Sequence, residues 1–279
     1  MGFKPFKIGR AILKPGRPLI VGILNVTPDS FSDGGRFNNT KKALDHALKM
    51  SDEGADIIDV GGESSRPGAK AISQDAEMAR VIPAIDAIRK KSSIPISIDT
   101  RHPQTARAAL EAGADMINDI TGFTNPEMAE VAAKYKTPVV VMHMKGSPAT
   151  MQKKPRYSDV VGEVSGFLSR QAGLLRKNGT ERIILDPGVG FGKTVAHNLE
   201  LFNRLDEIVR LGYPVMIGAS RKSFIGALTG APVGDRLAGT LTAHIISILK
   251  GAALLRVHDV AEHRGALDVL AGISGSGIK

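Results

Sequence analysis

"GADIIDV" (residues 54–60) and "GADMIND" (residues 113–119) are near-copies of one joint. In each, a glycine ends a helical stretch and a continuous apolar run begins. Glycine enters the left-handed conformation after a last helical turn without steric cost. An apolar run without polar alternation marks a strand covered on both faces, as in a parallel sheet. Gly212 and Gly251 repeat the joint ahead of "PVMIGAS" (214–220) and "ALLRVHD" (253–259). The remaining runs are "PLIVGILNV" (18–26), "PISIDT" (95–100), "PVVVMHM" (138–144) and "RIILDPG" (182–188). Pro95, Pro138 and Pro214 open three runs, where a missing amide proton costs least. Between the runs lie helical patterns such as "TKKALDHALKMSDEG" (40–54) and "HNLELFNRLDEIVRLG" (197–212).

Eight strand–helix units predict an α/β protein, a (β/α)8 TIM barrel. A doubly wound open sheet is the alternative, but it does not need eight such units. "FKIGRAILKPG" (6–16) alternates enough for a short N-terminal hairpin plugging the bottom of the barrel. Pro83 inside "DAEMARVIPAIDAIRKK" (75–91) predicts a kinked or shortened helix. No linker or composition shift divides the chain, so residues 1–279 read as a single domain.

Composition narrows the function. Cysteine is absent, which excludes disulfides, thiolate metal sites and a thiol nucleophile, and fits a cytoplasmic location. No apolar run approaches the roughly 20 residues that span a bilayer, so no membrane partner is expected. The basic start, "MGFKPFKIGR" (1–10), lacks the apolar segment of a secretory signal. A formal charge of +9 favours anionic ligands, but the basic residues are spread along the chain. With three Tyr and no Trp there is little surface for stacking bases, and no nucleic acid is expected as the main partner.

In a barrel of this kind, chemistry gathers at the C-terminal ends of the strands. Those ends carry Asn25, Glu63, Asp99, Asn118 with Asp119, His143, Asp186, Lys222, and Arg256 with His258. Any one of them reads equally well as a structural residue bonding a neighbouring loop. A polar side chain at all eight ends is harder to dismiss, because buried polar groups are costly unless satisfied. Two long loops, "TPDSFSDGGRFNNT" (27–40) and "ESSRPGAKAISQ" (63–74), read either as idle excursions or as lids. "DPGVGFGKT" (186–194) looks like a phosphate-binding loop but has Pro187 where the first Gly is required. The dinucleotide pattern fails as well, because Lys193 stands where a third Gly is needed. Its glycines therefore read as a tight turn that makes room beside Asp186. Lys193 reads as a solvated loop lysine with no assigned role. His258 and His263 have the spacing of a metal pair, but His263 is expected on the following helix, facing solvent.

"GILNVTPDSFSDGG" (22–35) with "DVGGESSRPGA" (59–69) closely resembles the two signatures of the dihydropteroate synthase family. "ISIDT", "INDI", "VMHM", "LDPGVGFGK", "ASRKSFIG" and "RVHDV" follow in that family's order, so the resemblance covers essentially the whole chain. One departure is Ser65, where the family often has Thr; only a methyl is missing.

The resemblance implies that 6-hydroxymethyl-7,8-dihydropterin diphosphate reacts with p-aminobenzoate to give 7,8-dihydropteroate and pyrophosphate. A pterin edge offers adjacent N–H donors and a carbonyl. Asp186 accepts from two donors, Asn118 gives and accepts, and Lys222 donates, which matches that edge. The Arg256 guanidinium can lie on the pterin face and reach phosphate, with His258 on the same side. The family likeness adds Asn25 to the diphosphate site, linked to Mg²⁺, a cation that takes few protein ligands. It also implies a dissociative mechanism, in which Asp99 and Asp33 stabilise developing positive charge. Phe31, Ser65, Arg66 and Pro67 are then walls of the p-aminobenzoate pocket. Ser65 also belongs to the pterin-diphosphate set, and Ser223 presents backbone amides to the aminobenzoate carboxylate. A homodimer through outer helices is expected by the same resemblance. Three rival readings remain: a pterin barrel that transfers a methyl group, a Schiff-base aldolase using Lys222, and a basic binding protein without turnover.

Overall fold

The computed structural model describes residues 3–27, 36–64, 68–69 and 71–275. β1 (Phe6–Ile8) and β2 (Ala11–Leu13) form an antiparallel hairpin. The barrel strands are β3 (Leu19–Asn25), β4 (Ile57–Gly61), β5 (Ile96–Asp99), β6 (Met116–Asp119), β7 (Val139–Met142), β8 (Ile183–Asp186), β9 (Met216–Ile217) and β10 (Leu254–Val257). They run parallel in the order β8-β7-β6-β5-β4-β3-β10-β9. A parallel bridge between Leu185 and Val215 joins β8 to the strand start before β9 and closes the barrel. The expected (β/α)8 architecture is therefore present.

α1 (Arg36–Asp52), α2 (Gln74–Lys91), α3 (Pro103–Glu111), α4 (Pro126–Tyr135) and α5 (Val160–Lys177) each follow one strand. α6 (Val195–Asn203) and α7 (Leu205–Val209) follow β8. α8 (Ser223–Thr229) and α9 (Leu237–Leu249) follow β9, and α10 (Val260–Ser274) follows β10. The larger core fills the layer between strands and helices, with Leu24, Ile58, Ile98, Val141 and Leu185 meeting Ile85, Leu168 and Leu267. A second cluster closes the bottom. There Ile8 and Leu13 of the hairpin pack fully buried against Leu19, Ile57, Met116, Ile184 and Leu254, near the strand starts. The hairpin is the plug expected from its alternation.

Three local expectations need correction. α2 is not shortened at Pro83 but runs eight residues further, to Lys91. Pro83 lies on the exposed face, so the Ala79 carbonyl that loses its partner can turn to water. α1 begins at Arg36, inside what reads as loop. The pattern over 197–212 is not one helix. It breaks at Arg204 (φ −112°, ψ 24°), whose guanidinium ties Glu200 of α6, Glu207 of α7 and Asp159 together.

Candidate active site

The strand ends assemble one polar mouth. At its centre is Arg256 on β10, whose Nε donates to Asp59 Oδ2 on β4 at 2.6 Å. Its Nη2 donates to Asp99 Oδ2 on β5, also at 2.6 Å. Asn118 on β6 donates from Nδ2 to the same Asp59 oxygen at 3.1 Å. Side chains from β4, β5, β6 and β10 are thus locked to one another across the barrel. Burial works against the Arg256 charge, but Asp59 and Asp99 more than offset it and hold the guanidinium protonated. These two bonds use two of the five guanidinium N–H groups and leave the others for an incoming anion.

Asp99 is affected in the opposite direction. Burial pushes its carboxyl up to about 7; Arg256 opposes this, while Asp59, Glu77 and Asp119 reinforce it. Asp186 ends β8, and its Oδ1 accepts the Gly188 amide at 2.7 Å. Burial raises it to about 6, against the Gly188 amide and the charges of Lys222, Arg256 and Lys193. Lys222 stands at the N-cap of α8 with Nζ 4.1 Å from the centre of the Phe191 ring. Burial and Arg256 lower it to about 8, while Asp186 and Asp99 pull the other way. The mouth therefore brings together a carboxylate, an amide, an ammonium and a guanidinium, as expected for Asp186, Asn118, Lys222 and Arg256.

The glycine turn after Asp186 makes this possible. A Cβ on Gly188 (φ +67°) would lie 1.9 Å from the His143 carbonyl oxygen. A Cβ on Gly190 (φ +82°) would lie 3.2 Å from Lys222 Cδ. No other residue type fits the first position, and the second gives Lys222 its place above Phe191. Phe191 packs with Ile120, Met142 and Met151 in a small apolar cluster. The mouth thus has a polar edge at the buried Asp186 and an apolar wall here.

His258 lies just past β10. Its backbone N–H donates to Ser220 Oγ at 3.2 Å, and Ser220 Oγ is 2.9 Å from His258 Nδ1. A hydroxyl that accepts the amide can still donate to Nδ1, and in that arrangement the ring proton sits on Nε2. Burial, then Arg256 and Arg221, lower the ring to about 4. His258 is therefore a neutral donor at neutral pH. Ser223 is the first residue of α8 and is exposed. Phe31, Asp33, Ser65, Arg66 and Pro67 lie outside the described residues.

Several strand-end residues serve the frame instead of the mouth. Asp119 accepts from the Thr121 amide, the Thr121 hydroxyl and the Phe123 amide at 2.7–2.8 Å and so organises its own loop. Glu63 receives a two-bond fork from Arg101, 2.9 Å at each contact. His143 faces Lys193. Two expectations fail outright. Lys193 is not solvated: it is 2% exposed, and its Nζ meets His143 Nδ1, Gly188 O and Phe191 O at 3.0–3.1 Å. His263 does not face solvent: it is 1% exposed, and its Nε2 is 2.8 Å from His244 Nδ1. His244 Nε2 in turn accepts the Ala219 amide at 3.0 Å, so this pair supports the loop that carries Ser220 and Lys222. His263 sits on the inner face of α10 against α9, directed away from any pairing with His258.

Sequence reasoning missed Asp59, Phe191 and Ser220. Asp59 is a charged residue inside an otherwise apolar run, and that was its available signal. Phe191 had only its place among the glycines, and Ser220 had none.

A sequence profile of the family described as "Pterin binding enzyme" matches residues 21–258. The chain is 48% identical over 261 residues to dihydropteroate synthase of Synechocystis sp., covering 92% of this chain and 90% of that one. The chain belongs to the dihydropteroate synthase family. Solved dihydropteroate synthases from Xanthomonas albilineans share the whole architecture. One, with 4-aminobenzoic acid, superposes with a TM-score of 0.91 at 43% identity over 97% of this chain and 98% of that one. Another, in complex with 7,8-dihydropteroate, gives 0.88 at 40% identity over 97% and 99%. As in other (β/α)8 barrels, the polar mouth of this chain lies at the C-terminal strand ends.

Proposed function

We infer that this chain joins 6-hydroxymethyl-7,8-dihydropterin diphosphate to p-aminobenzoate, forming 7,8-dihydropteroate and releasing pyrophosphate. The observation that carries the reading is the set Asp186, Asn118 and Lys222 facing one opening, with Arg256 held between Asp59 and Asp99. Asp186 accepts from the pterin's adjacent N–H groups, Lys222 donates to its carbonyl, and Asn118 serves one of each. Asp186 must be ionised for this, and the flanking cations favour that state at neutral pH. Arg256 turns its remaining donors to the diphosphate, and His258 adds Nε2–H from the same side. The bond between the pterin methylene carbon and the diphosphate oxygen breaks, and its electron pair leaves with pyrophosphate. The carboxylates of Asp99 and, in the first loop, Asp33 favour the positive charge left on the pterin. The amine of p-aminobenzoate then bonds to that carbon and gives up a proton. Phe31, Ser65, Arg66, Pro67 and the amides around Ser223 hold the aminobenzoate.

Mg²⁺ belongs to the same proposal. Asn25 ends β3, and Gly61 opposite it carries no side chain. A Cβ there would lie 3.8 Å from Asn25 Oδ1 and 3.7 Å from Asp99 Oδ2, so an amide oxygen and a carboxylate oxygen flank this point, donors that suit a cation bound mainly by phosphate and water. Bound there, Mg²⁺ would supply charge neutralisation of the diphosphate. A homodimer through the outer helices is supported by apolar side chains left open on α8, α9 and α10. Leu228, Leu249, Val269 and Ile273 are 56%, 68%, 63% and 80% exposed. No helix among the described residues is long and apolar enough to cross a membrane, and we place the enzyme in the cytoplasm.

Pyrophosphate release with both substrates and Mg²⁺ tests the reaction. It should require p-aminobenzoate, and borohydride with a carbonyl substrate should leave Lys222 unmodified. Trapping on Lys222 would favour the aldolase reading instead.

A further inference from the structure

We propose that Lys193 is a positioning residue for the pterin site: its buried ammonium fastens the turn after β8 to the end of β7 and fixes Asp186 and Phe191. The proposal rests on the reading of Asp186 as the pterin carboxylate. The geometry is specific. Nζ lies 3.0 Å from Gly188 O, 3.1 Å from Phe191 O and 3.0 Å from His143 Nδ1, with His143 O farther off at 3.4 Å. The same turn supplies the Gly188 amide that Asp186 accepts and the Phe191 ring beneath Lys222. Apart from Asp186, the other side-chain ties to the turn are neutral: Asn198 accepts the Gly190 amide, Gln152 donates to Gly190 O, and Tyr157 donates to Gly192 O. Lys193 is the tie that adds positive charge.

The three nearest acceptors favour its protonated form. An ammonium donates to all of them, whereas a neutral amine has two N–H groups and turns a lone pair toward the third. His143 can accept at Nδ1 because it is neutral, lowered to about 3 chiefly by burial and then by Lys193 and Lys145. Burial opposes the Lys193 charge, lowering it to about 7; Asp186 supports it, and Lys222 and Lys145 oppose it. Asp186 in turn feels Lys222, Arg256 and Lys193. Lys193 therefore favours the ionised carboxylate from behind while Lys222 and Arg256 act from the mouth.

Calorimetry with 6-hydroxymethyl-7,8-dihydropterin between pH 5 and 9 tests this in wild type, Lys193→Met and Asp186→Asn. Lys193→Met should weaken binding about ten-fold or more at neutral pH. It should also move the acid midpoint set by Asp186 upward. In an Asp186→Asn background the same change should move no limb, which separates Asp186 from Asp99. A folded Lys193→Met variant with affinity within about two-fold of wild type and an unmoved midpoint overturns the proposal, since a lost charged hydrogen bond exceeds that. Full pterin affinity in Asp186→Asn would instead overturn the reading of the pocket. If Lys193→Met does not fold, nitrogen NMR of the wild-type lysines decides. By reciprocity, saturating pterin should raise the Lys193 pKa, and an unmoved value overturns the proposal.

Discussion

Replacing Arg256 with Met removes one charge from a group of three. Met keeps most of the stem's packing, so the loss is mainly electrostatic. Asp59, 1% exposed, loses its 2.6 Å partner and keeps only Asn118, and Asp99 loses its partner as well. Breaking a buried ion pair from one side costs about 3–5 kcal/mol, because the other charge stays behind. The Arg256 side chain is 19% exposed and Asp99 is 13% exposed, so solvent reaches the pair and the lower end, about 3 kcal/mol, is expected. The loss should also depend on pH. Asp99 is already raised to about 7, chiefly by burial, and Arg256 is what lowers it. Without Arg256 its folded pKa rises further above the unfolded value. A raised carboxyl contributes stability that is full below its unfolded pKa and lost as pH rises through its folded pKa. The stability gap between variant and wild type should therefore be smaller near pH 6 and widen as pH passes about 7 and beyond. Urea denaturation at several pH values measures it. A gap under about 1 kcal/mol, or one that stays constant with pH, would refute the shared-guanidinium account.

Asp186→Ala should cost about 1–3 kcal/mol or more in pterin binding, by calorimetry, while leaving the fold intact. In the wild type, pterin affinity should rise with pH through about 6, where Asp186 ionises. His258→Ala should weaken the diphosphate-bearing pterin far more than the pterin without diphosphate, because the proposed role of Nε2–H is to donate to the diphosphate; equal losses would remove it from the phosphate site. p-Aminobenzoate should bind weakly or not detectably to the free protein and measurably once pyrophosphate and Mg²⁺ are present, a coupling that must be reciprocal. Equal affinity in both titrations would mean a preformed pocket.

The barrel was legible because the strands are mostly apolar runs and four of the joints, at Gly54, Gly113, Gly212 and Gly251, repeat the same Gly-to-strand chemistry. The plug was legible from the alternation over residues 6–13. That Asp186, Asn118, Lys222 and Arg256 would meet at one mouth followed from their places at strand ends. What was not legible depends on which side of a loop or helix faces inward. Lys193 looked like any loop lysine, because only the folded turn aims three acceptors at one point. His263 sits on a helix whose pattern does not reveal that His244 waits on its neighbour. Asp59 was passed over because it lies in mid-strand, one turn of the pleat below the residues that mark the mouth. Its partner Arg256 is 197 residues away, a pairing that local sequence cannot show.

The most direct test of the central claim is a crystal structure with 6-hydroxymethyl-7,8-dihydropterin diphosphate bound. The account predicts the pterin's amino edge within about 2.7–3.2 Å of the Asp186 carboxylate, its carbonyl on Lys222, and the diphosphate between Arg256 and His258. A ring lying outside the mouth, or a diphosphate bound away from Arg256 and His258, would contradict it.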